Sequence, residues 1–334
     1  MVRVGVLGAS GYAGGEALRL LLGHGKVELA FASSRRYAGE YLFRVHPNLR
    51  GVTDMQFVGN DLSKISGGAD LIFTALPHGE SMKFLPDLIK TGVKVVDLSA
   101  DFRLRSLETY ERWYGEHPRP ELMVDAVYGL SELHRERIAS ADIVANPGCY
   151  PTASLLAIAP LARAGLLADV VIDAKQGISG AGRVFDETTH LSMAGENIVP
   201  YKVAAHRHTP EIEEQLALLG AELRVQFQAH LVPLDEGEMA SCYLTTTRTV
   251  PAAELRELYV DAYADEPFVE LLDGPPGVLE VRETNYCRVF AAADEHTGKV
   301  VAFGAIDNLW KGTSSQAVQN LNLMFGLPET AGLL

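Results

Sequence analysis

The sequence predicts an α/β chain: a doubly wound parallel sheet over residues 1–147, followed by an α+β domain with a mainly antiparallel sheet over 148–311. Three features predict it. Apolar strand-like runs alternate with helical stretches through roughly the first 145 residues, which implies parallel pairing. A glycine-rich turn sits at the first strand–helix junction. After Pro147 the runs become rich in β-branched and aromatic residues, as antiparallel sheets are.

Taken in order, MVRVGVLG is β-rich and ends in glycine, and GYAGGEALRLLLGHG turns into a helix whose Leu18, Leu21 and Leu22 share an apolar face. KVELAFASS is a second strand. Leu71 to Leu76 is a third, stopped by Pro77 and Gly79. SMKFLPDLIKTG reads as a helix in spite of Pro86, KVVDLSADF as a strand, and IASADIVANPG as a strand entering a proline–glycine turn. Beyond it, TASLLAIAPLARAG and PAAELRELYVDAYAD are helices, and DVVIDAKQG and FQAHLVPL are strands. EMASCYLTTTRT and NYCRVFAAADE form the antiparallel part, and Ser314 to Phe325 is helical again through Val318, Leu321 and Phe325. Neither an internal repeat nor a low-complexity linker interrupts the chain.

Composition narrows the function. With 334 residues, 47% hydrophobic and 22% charged, the chain has globular proportions and room for one large or two ordinary domains. Lys+Arg 29 against Asp+Glu 43 gives −14, which disfavours nucleic acid or an anionic membrane as partner. No apolar run approaches the ~20 residues of a membrane span, so a soluble, cytoplasmic protein is expected. Cys149, Cys242 and Cys287 are too scattered for a disulfide framework or a zinc site, and no metal is expected.

Gly8, Gly11 and Gly14, with Ser10 and Tyr12 between them, form GASGYAG between a strand and a helix. Glycines there let the backbone turn and approach a pyrophosphate, while helix-start amides bind it, as in a Rossmann-type domain. At the end of the second strand, where an NAD site carries Asp or Glu, stand Ser33, Ser34, Arg35 and Arg36. Hydroxyls and guanidinium groups suit a 2′-phosphate, so the expected cofactor is NADP.

IVANPGCYPTASLLAIAP places Cys149 at a helix start, where the dipole favours thiolate. Cys242 and Cys287 lie in β-like runs and read as buried hydrophobes. A base for the thiol is expected in AAHRHTPEIEEQL: His206 and His208 alternate on an extended stretch, so only one faces a given cleft. Glu211, in the first turn of the following helix, is placed to orient a histidine. QGISGAGR supplies Ser179, Gly180 and Arg183, a turn of amides and a guanidinium suited to phosphate, and DLSADFR places Arg103 past a strand end. Ser179 and Gly180 are grouped with the cofactor residues, Arg103 and Arg183 with the substrate.

With ALPHG, DLSADFRL, AVYGLSEL, ANPGCYPT, SGAGR, HRHTPEI and DNLWKG in order, the chain resembles the N-acetyl-γ-glutamyl-phosphate reductases, arginine-pathway relatives of aspartate-semialdehyde dehydrogenase. The resemblance spans essentially the whole chain. It implies that Cys149 accepts the acyl group of a small-molecule acyl phosphate, phosphate leaves, and NADPH reduces the thioester to a semialdehyde. It implies His206 as acid/base with Glu211 supporting it, Gly11 and Ser33–Arg35 as NADP residues, and help from Pro77 and Asn308. It also implies a C-terminal helix over 312–334 that completes the nucleotide domain, a catalytic and oligomerisation domain over 148–311, and a homodimer or homotetramer. One alternative is the sister family that reduces aminoadipyl phosphate bound to an acidic carrier protein in lysine synthesis, possibly bifunctionally. Another is a non-catalytic NADP-binding sensor.

Overall fold

The computed structural model describes residues 1–61, 68–183 and 187–334. The chain forms two compact units, one of Met1–Pro147 with Thr313–Leu334, the other of Gly148–Gly312.

The first unit holds a six-stranded sheet of β1 (Val2–Leu7), β2 (Val27–Ala32), β3 (Leu71–Thr74), β4 (Lys94–Asp97), β5 (Val127–Tyr128) and β6 (Ile143–Ala145) in the order β2-β1-β3-β4-β6-β5. Every pairing is parallel. The central strands are buried throughout, which is why LIFT of β3 is a continuous apolar run rather than an alternating one. β1 lies between β2 and β3, so the chain reverses direction across the sheet at the carboxyl ends of β1 and β3. The helix Ser81–Lys90 forms with Pro86 inside it and packs Met82, Leu85 and Leu88 into the core with Phe102 and Tyr110. The helices Leu107–Tyr114, Pro120–Asp125 and Ser131–Ala139, and the two-residue β5, were not anticipated from the sequence; each is short, and the helices are rich in charged residues.

The helix Ser315–Met324 belongs to this unit and is buried on nearly every side. Its polar side chains are therefore bonded: Gln316 Nε2 donates to Gly129 O (3.0 Å), Asn320 Nδ2 to Gly129 O (2.9 Å) and to Asn146 Oδ1 (3.0 Å), and Asn322 Oδ1 meets His24 Nε2 (2.9 Å).

The second unit holds a mixed, mostly antiparallel sheet: β7 (Leu167–Gln176), β8 (Val199–Tyr201), β9 (Val225–Leu231), β10 (Glu238–Thr246), β11 (Val269–Leu271), β12 (Cys287–Asp294) and β13 (Lys299–Ile306), in the order β11-β12-β13-β10-β7-β9-β8. Only β7/β9 and β11/β12 run parallel. The helix Cys149–Arg163 covers one face, buried from Tyr150 to Ala162. It lies so close that a Cβ on Gly304 of β13 would fall 2.2 Å from Ala153 O. Tyr259 and Tyr263 of the helix Ala252–Tyr263 donate to Ala157 O and Leu156 O, tying the two helices together. Cys242 and Cys287 are fully buried in β10 and β12, as expected of small core residues. Among the described residues no helix is long and apolar enough to cross a membrane, and no cluster of three or more His, Cys, Asp or Glu could hold a metal ion.

Candidate active site

In the second unit, Gly148 caps the helix in an extended conformation (φ −71°, ψ 154°) and Cys149 is the first helical residue. The cap is held from two sides: Gly148 N–H donates to Glu211 Oε1 (2.8 Å), and Thr152 Oγ1 donates to Gly148 O (2.9 Å). Glu211 thus braces the backbone next to the cysteine from the first turn of the helix Thr209–Leu218. Gly312 presses against the same spot, since a Cβ there would lie 2.7 Å from Cys149 Cβ.

Cys149 is half-buried as a residue, with its thiol on the buried side. Gln176 Nε2 donates to its Sγ (2.9 Å) and to Glu238 Oε2 (2.7 Å). Gln176 ends β7 and Glu238 begins β10, and the two are directly opposed in the antiparallel register. Glu238 has no solvent exposure, and its Oε1 is buried without a hydrogen-bond partner. Burial, then the facing Glu238, pushes the thiol well above its usual range. Burial likewise raises the Glu238 carboxyl to about 8, against the lowering effect of hydrogen bonds with Cys149 and Gln176. Burial thus opposes the pull of the helix start toward thiolate.

His206 and His208 also depart from expectation. They lie in a turn entering the Thr209–Leu218 helix rather than on a strand, because Pro210 sets the first helical turn just after them. Both therefore face the same cavity, with ring centroids 4.8 Å apart. His206 Nδ1 accepts the backbone N–H of His208 (3.2 Å), which places the ring proton of the neutral imidazole on Nε2. Tyr150, Tyr201 and Phe227 surround the ring at centroid distances of 5.5, 5.4 and 5.0 Å. Burial, with His208, Lys202 and Arg207 adding positive charge, drives the imidazole down to about 2. His206 is therefore neutral, a donor through Nε2.

Cys149, Gln176, Gly180, Tyr201, Lys202 and His206 all line one cavity of about 390 Å³. Gly180 sits directly on the Gln176 side chain, leaving no space for a Cβ. Ser179 and Asn308 come together as well, both buried: Asn308 Nδ2 donates to Ser179 Oγ (3.0 Å), and Asn308 Oδ1 accepts Gly237 N–H (2.8 Å). Arg183 is exposed in the turn beyond them.

The first unit carries the remaining candidates. Gly8 has φ +77°, and a Cβ on it would lie 2.4 Å from Ala75 O, at the carboxyl ends of β1 and β3. A Cβ on Gly14 would lie 2.7 Å from Ala9 Cα. Gly11 differs: it caps the helix Tyr12–Gly23 with φ −76° and no side-chain cap hydrogen bond, and nothing lies closer to a Cβ than Gly8 O at 4.0 Å. The protein itself does not require glycine there, whereas a phosphate seated on the helix amides does, so the turn fits a dinucleotide. Ser33 Oγ accepts Gly8 N–H (3.4 Å), and Ser34 Oγ donates to Ser10 Oγ (3.1 Å), binding the end of β2 to the glycine turn. The Arg35 side chain is 80% exposed and only loosely paired with Glu80 (3.7 Å). Pro77 follows β3, and Tyr12 is exposed at the helix start. Arg103 is buried, with Nε donating to Asn146 O (2.8 Å) and Nη2 to Leu98 O (3.1 Å), so it fastens strand ends.

Sequence reading missed Gln176, Glu238 and Gly312. A signal existed for two of them. Val170, Ile172, Ala174 and Gln176 share the buried face of β7, as Glu238, Ala240, Cys242 and Leu244 share that of β10, so each polar residue ends an apolar alternation.

Residues 3–141 match the family described as semialdehyde dehydrogenase, NAD binding domain, and residues 149–308 that described as semialdehyde dehydrogenase, dimerisation domain. The chain is 50% identical to the N-acetyl-gamma-glutamyl-phosphate reductase of Desulforudis audaxviator and 48% identical to that of Methanopyrus kandleri, covering 100% of this chain and 98% of each relative. Among solved structures, aspartate semialdehyde dehydrogenase II of Vibrio cholerae superposes with a TM-score of 0.75 at 19% identity, covering 98% of both chains. Aspartate semialdehyde dehydrogenase of Candida albicans, solved with NADP, superposes with a TM-score of 0.71 at 16% identity, covering 97% of this chain and 98% of that one.

Proposed function

The chain belongs to the N-acetyl-gamma-glutamyl-phosphate reductase family, and from that premise we propose that it reduces N-acetyl-γ-glutamyl phosphate to the 5-semialdehyde with release of phosphate. The observation that carries this reading is the cavity in which Cys149 Sγ stands with the Gln176 amide and a neutral His206. Cys149 Sγ attacks the acyl carbon, the carbon–oxygen bond to phosphate breaks, and a thioester remains. His206 Nε2–H donates to the oxygen that gains charge at each tetrahedral stage, and Gln176 Nε2 holds the sulfur. The bound nicotinamide supplies the hydride that turns the thioester carbon into an aldehyde. Breaking the carbon–sulfur bond then frees the product and the cysteine. Ser179, Gly180 and Arg183 are proposed to hold the anionic end of the substrate or cofactor, as amides, hydroxyl and guanidinium suited to phosphate.

The cofactor is proposed to be NADP. Gly11 leaves room for the pyrophosphate, and the end of β2 offers Ser33, Ser34 and the exposed Arg35 where a ribose diol would need a carboxylate. The working form is proposed to be a homodimer built on the second sheet. Its face away from the Cys149–Arg163 helix leaves Val171, Met239, Tyr243, Phe290, Val301 and Phe303 only partly covered, and the match to a dimerisation domain covers this region.

The reverse reaction tests the reading. NADPH formation from N-acetylglutamate 5-semialdehyde and NADP is expected only with inorganic phosphate present, and is expected to vanish in Cys149→Ala while NADPH binding persists. Phosphate-independent turnover, or full activity in Cys149→Ala, would refute it.

A further inference from the structure

The wall of the Cys149 cavity carries a lysine and no carboxylate. Among the described residues that line it, none is Asp or Glu, and Lys202 is the one Lys or Arg. Lys202 directly follows β8, whose antiparallel pairing with β9 sets Val199 against Leu231, Pro200 against His230 and Tyr201 against Ala229. The backbone is therefore fixed up to the residue before the lysine. From there the chain turns tightly toward His206: Lys202 has φ +46°, Ala204 has φ +54°, and Ala205 N–H donates to Lys202 O (3.0 Å). Two non-glycine residues in the left-handed region cost conformational energy, a pattern that concentrates at ligand sites.

The charge of this lysine is not used within the protein. Among the described residues no hydrogen bond or ion pair engages its Nζ, and the charge that acts on it is that of Arg207, which repels it. Partial burial, then Arg207, holds the ammonium below its ordinary range, and the lysine in turn helps to lower His206. An ammonium so placed is stabilised by an anion that enters the cavity.

We propose that Lys202 binds the α-carboxylate of the substrate and makes the enzyme selective for acyl groups that carry one. The proposal rests on the reading of this site as a reductase of N-acetyl-γ-glutamyl phosphate. That molecule has two anionic ends. The phosphate leaves, whereas the carboxylate stays, separated from the reacting carbonyl by two methylenes and the α-carbon. Ser179, Gly180 and Arg183 offer amides, a hydroxyl and a forked guanidinium, which suit the phosphate. Lys202 is a single point charge on a flexible stem, which suffices for a carboxylate. A cavity of about 390 Å³ that holds both Cys149 and Lys202 takes a short chain with the carbonyl at one and the carboxylate at the other. Fixing the carboxylate holds the acyl carbon in one register against Sγ.

The test compares the full-length enzyme with Lys202→Gln and Lys202→Arg in the direction of NADPH formation, where aldehyde and phosphate have separate KM values. Two aldehydes are used: N-acetylglutamate 5-semialdehyde, and 4-acetamidobutanal, the same molecule with hydrogen in place of the α-carboxylate. Lys202→Gln is expected to raise KM for the semialdehyde about tenfold or more while KM for phosphate stays within about twofold. It should also shrink the preference in kcat/KM for the semialdehyde over 4-acetamidobutanal by about tenfold or more, and Lys202→Arg should restore most of that preference. The ratio of two substrates does not depend on how much of a variant folds, so a merely structural lysine would leave it unchanged. An unchanged preference in Lys202→Gln, or a rise confined to KM for phosphate, overturns the proposal; the second result would assign Lys202 to the leaving group. A further readout needs no turnover: N-acetylglutamate should protect Cys149 from iodoacetamide better than 4-acetamidobutanoate does, and Lys202→Gln should make the two equal. Equal protection in the unmodified enzyme overturns the proposal as well. Absence of phosphate-dependent turnover in the unmodified enzyme would instead refute the reductase reading, and the difference in protection would then decide on Lys202 alone.

Discussion

Three glycines of one turn separate folding from binding at single-residue resolution. Gly8 and Gly14 have backbone where a Cβ would go, so Gly8→Ala or Gly14→Ala should cost stability of order 1–3 kcal/mol, seen as a lower denaturation midpoint. Gly11 has open space, so Gly11→Val should leave that midpoint nearly unchanged while weakening NADPH binding at least tenfold in a fluorescence titration. Equal effects in all three variants would show that the turn is not a ligand seat. The titrating groups also leave a mark on stability. His206 falls from an ordinary 6.5 to about 2 on folding, so its contribution is present above 6.5 and is lost as pH falls below it. Glu238 rises from 4.5 to about 8, so its contribution is present below 4.5 and is lost as pH rises toward 8. Between 4.5 and 6.5 the two oppose each other. From 6.5 to 8 only Glu238 of this pair acts, with a limiting slope of ~1.4 kcal/mol per pH unit. Glu238→Gln should therefore flatten the decline in urea midpoint between pH 6.5 and 8; an identical decline in both proteins would contradict the buried, proton-holding carboxyl. Cys149 and the glycine turn were readable because each couples a rare residue type to a strand–helix junction. Glu238 and Gln176 were not, because what joins them is a cross-strand register that the sequence does not print.

At the scale of elements, the terminal helix shows how a polar sequence can be a core sequence. Val318 and Leu321 announced the helix, and Gln316, Gln319, Asn320 and Asn322 are fully buried beside them. Asn320 alone engages Gly129 O, Asn146 Oδ1 and Ser131 Oγ, drawing β5, β6 and the Ser131–Ala139 helix onto one side chain. Asn320→Leu keeps the volume but strips these partners of their bonds, and should lower unfolding free energy by about 2–4 kcal/mol in urea titration, more than Leu321→Val does. If Asn320→Leu were neutral, the tail would be a surface appendage rather than part of the first unit's core. The parallel strand β3 was legible because burial on both faces makes it a continuous apolar run, and the edge strand β2 because its VELAFA alternates around Glu28. β5 and β11 were not, being two and three residues long and held only by neighbours distant in sequence. The histidine turn was misjudged for a related reason: a two-residue spacing suggests a strand, yet Pro210 decides the backbone locally.

For the molecule as a whole, the open face of the second sheet is the feature that monomeric folding leaves unexplained. Along β10, Met239, Ser241 and Tyr243 alternate with the buried Ala240, Cys242 and Leu244, and Tyr243 remains 44% exposed. On the neighbouring strands Phe290 and Phe303 stack at 6.5 Å on the same face. Partly covered aromatic side chains on a flat sheet gain most from a second apolar surface, and a second copy presents the same one across a two-fold axis. Phe303→Lys should convert a dimer into a monomer by light scattering, without lowering the affinity for NADPH carried by the first unit. Each copy carries −14, so electrostatics oppose association, and an interface driven by apolar burial should tighten as salt screens that repulsion. Sedimentation at ~50 and ~500 mM salt distinguishes the cases through the Debye length. Dissociation at the higher salt would mean that ion pairs hold the copies together, and a monomer at both would leave the sheet face without a partner of its own kind.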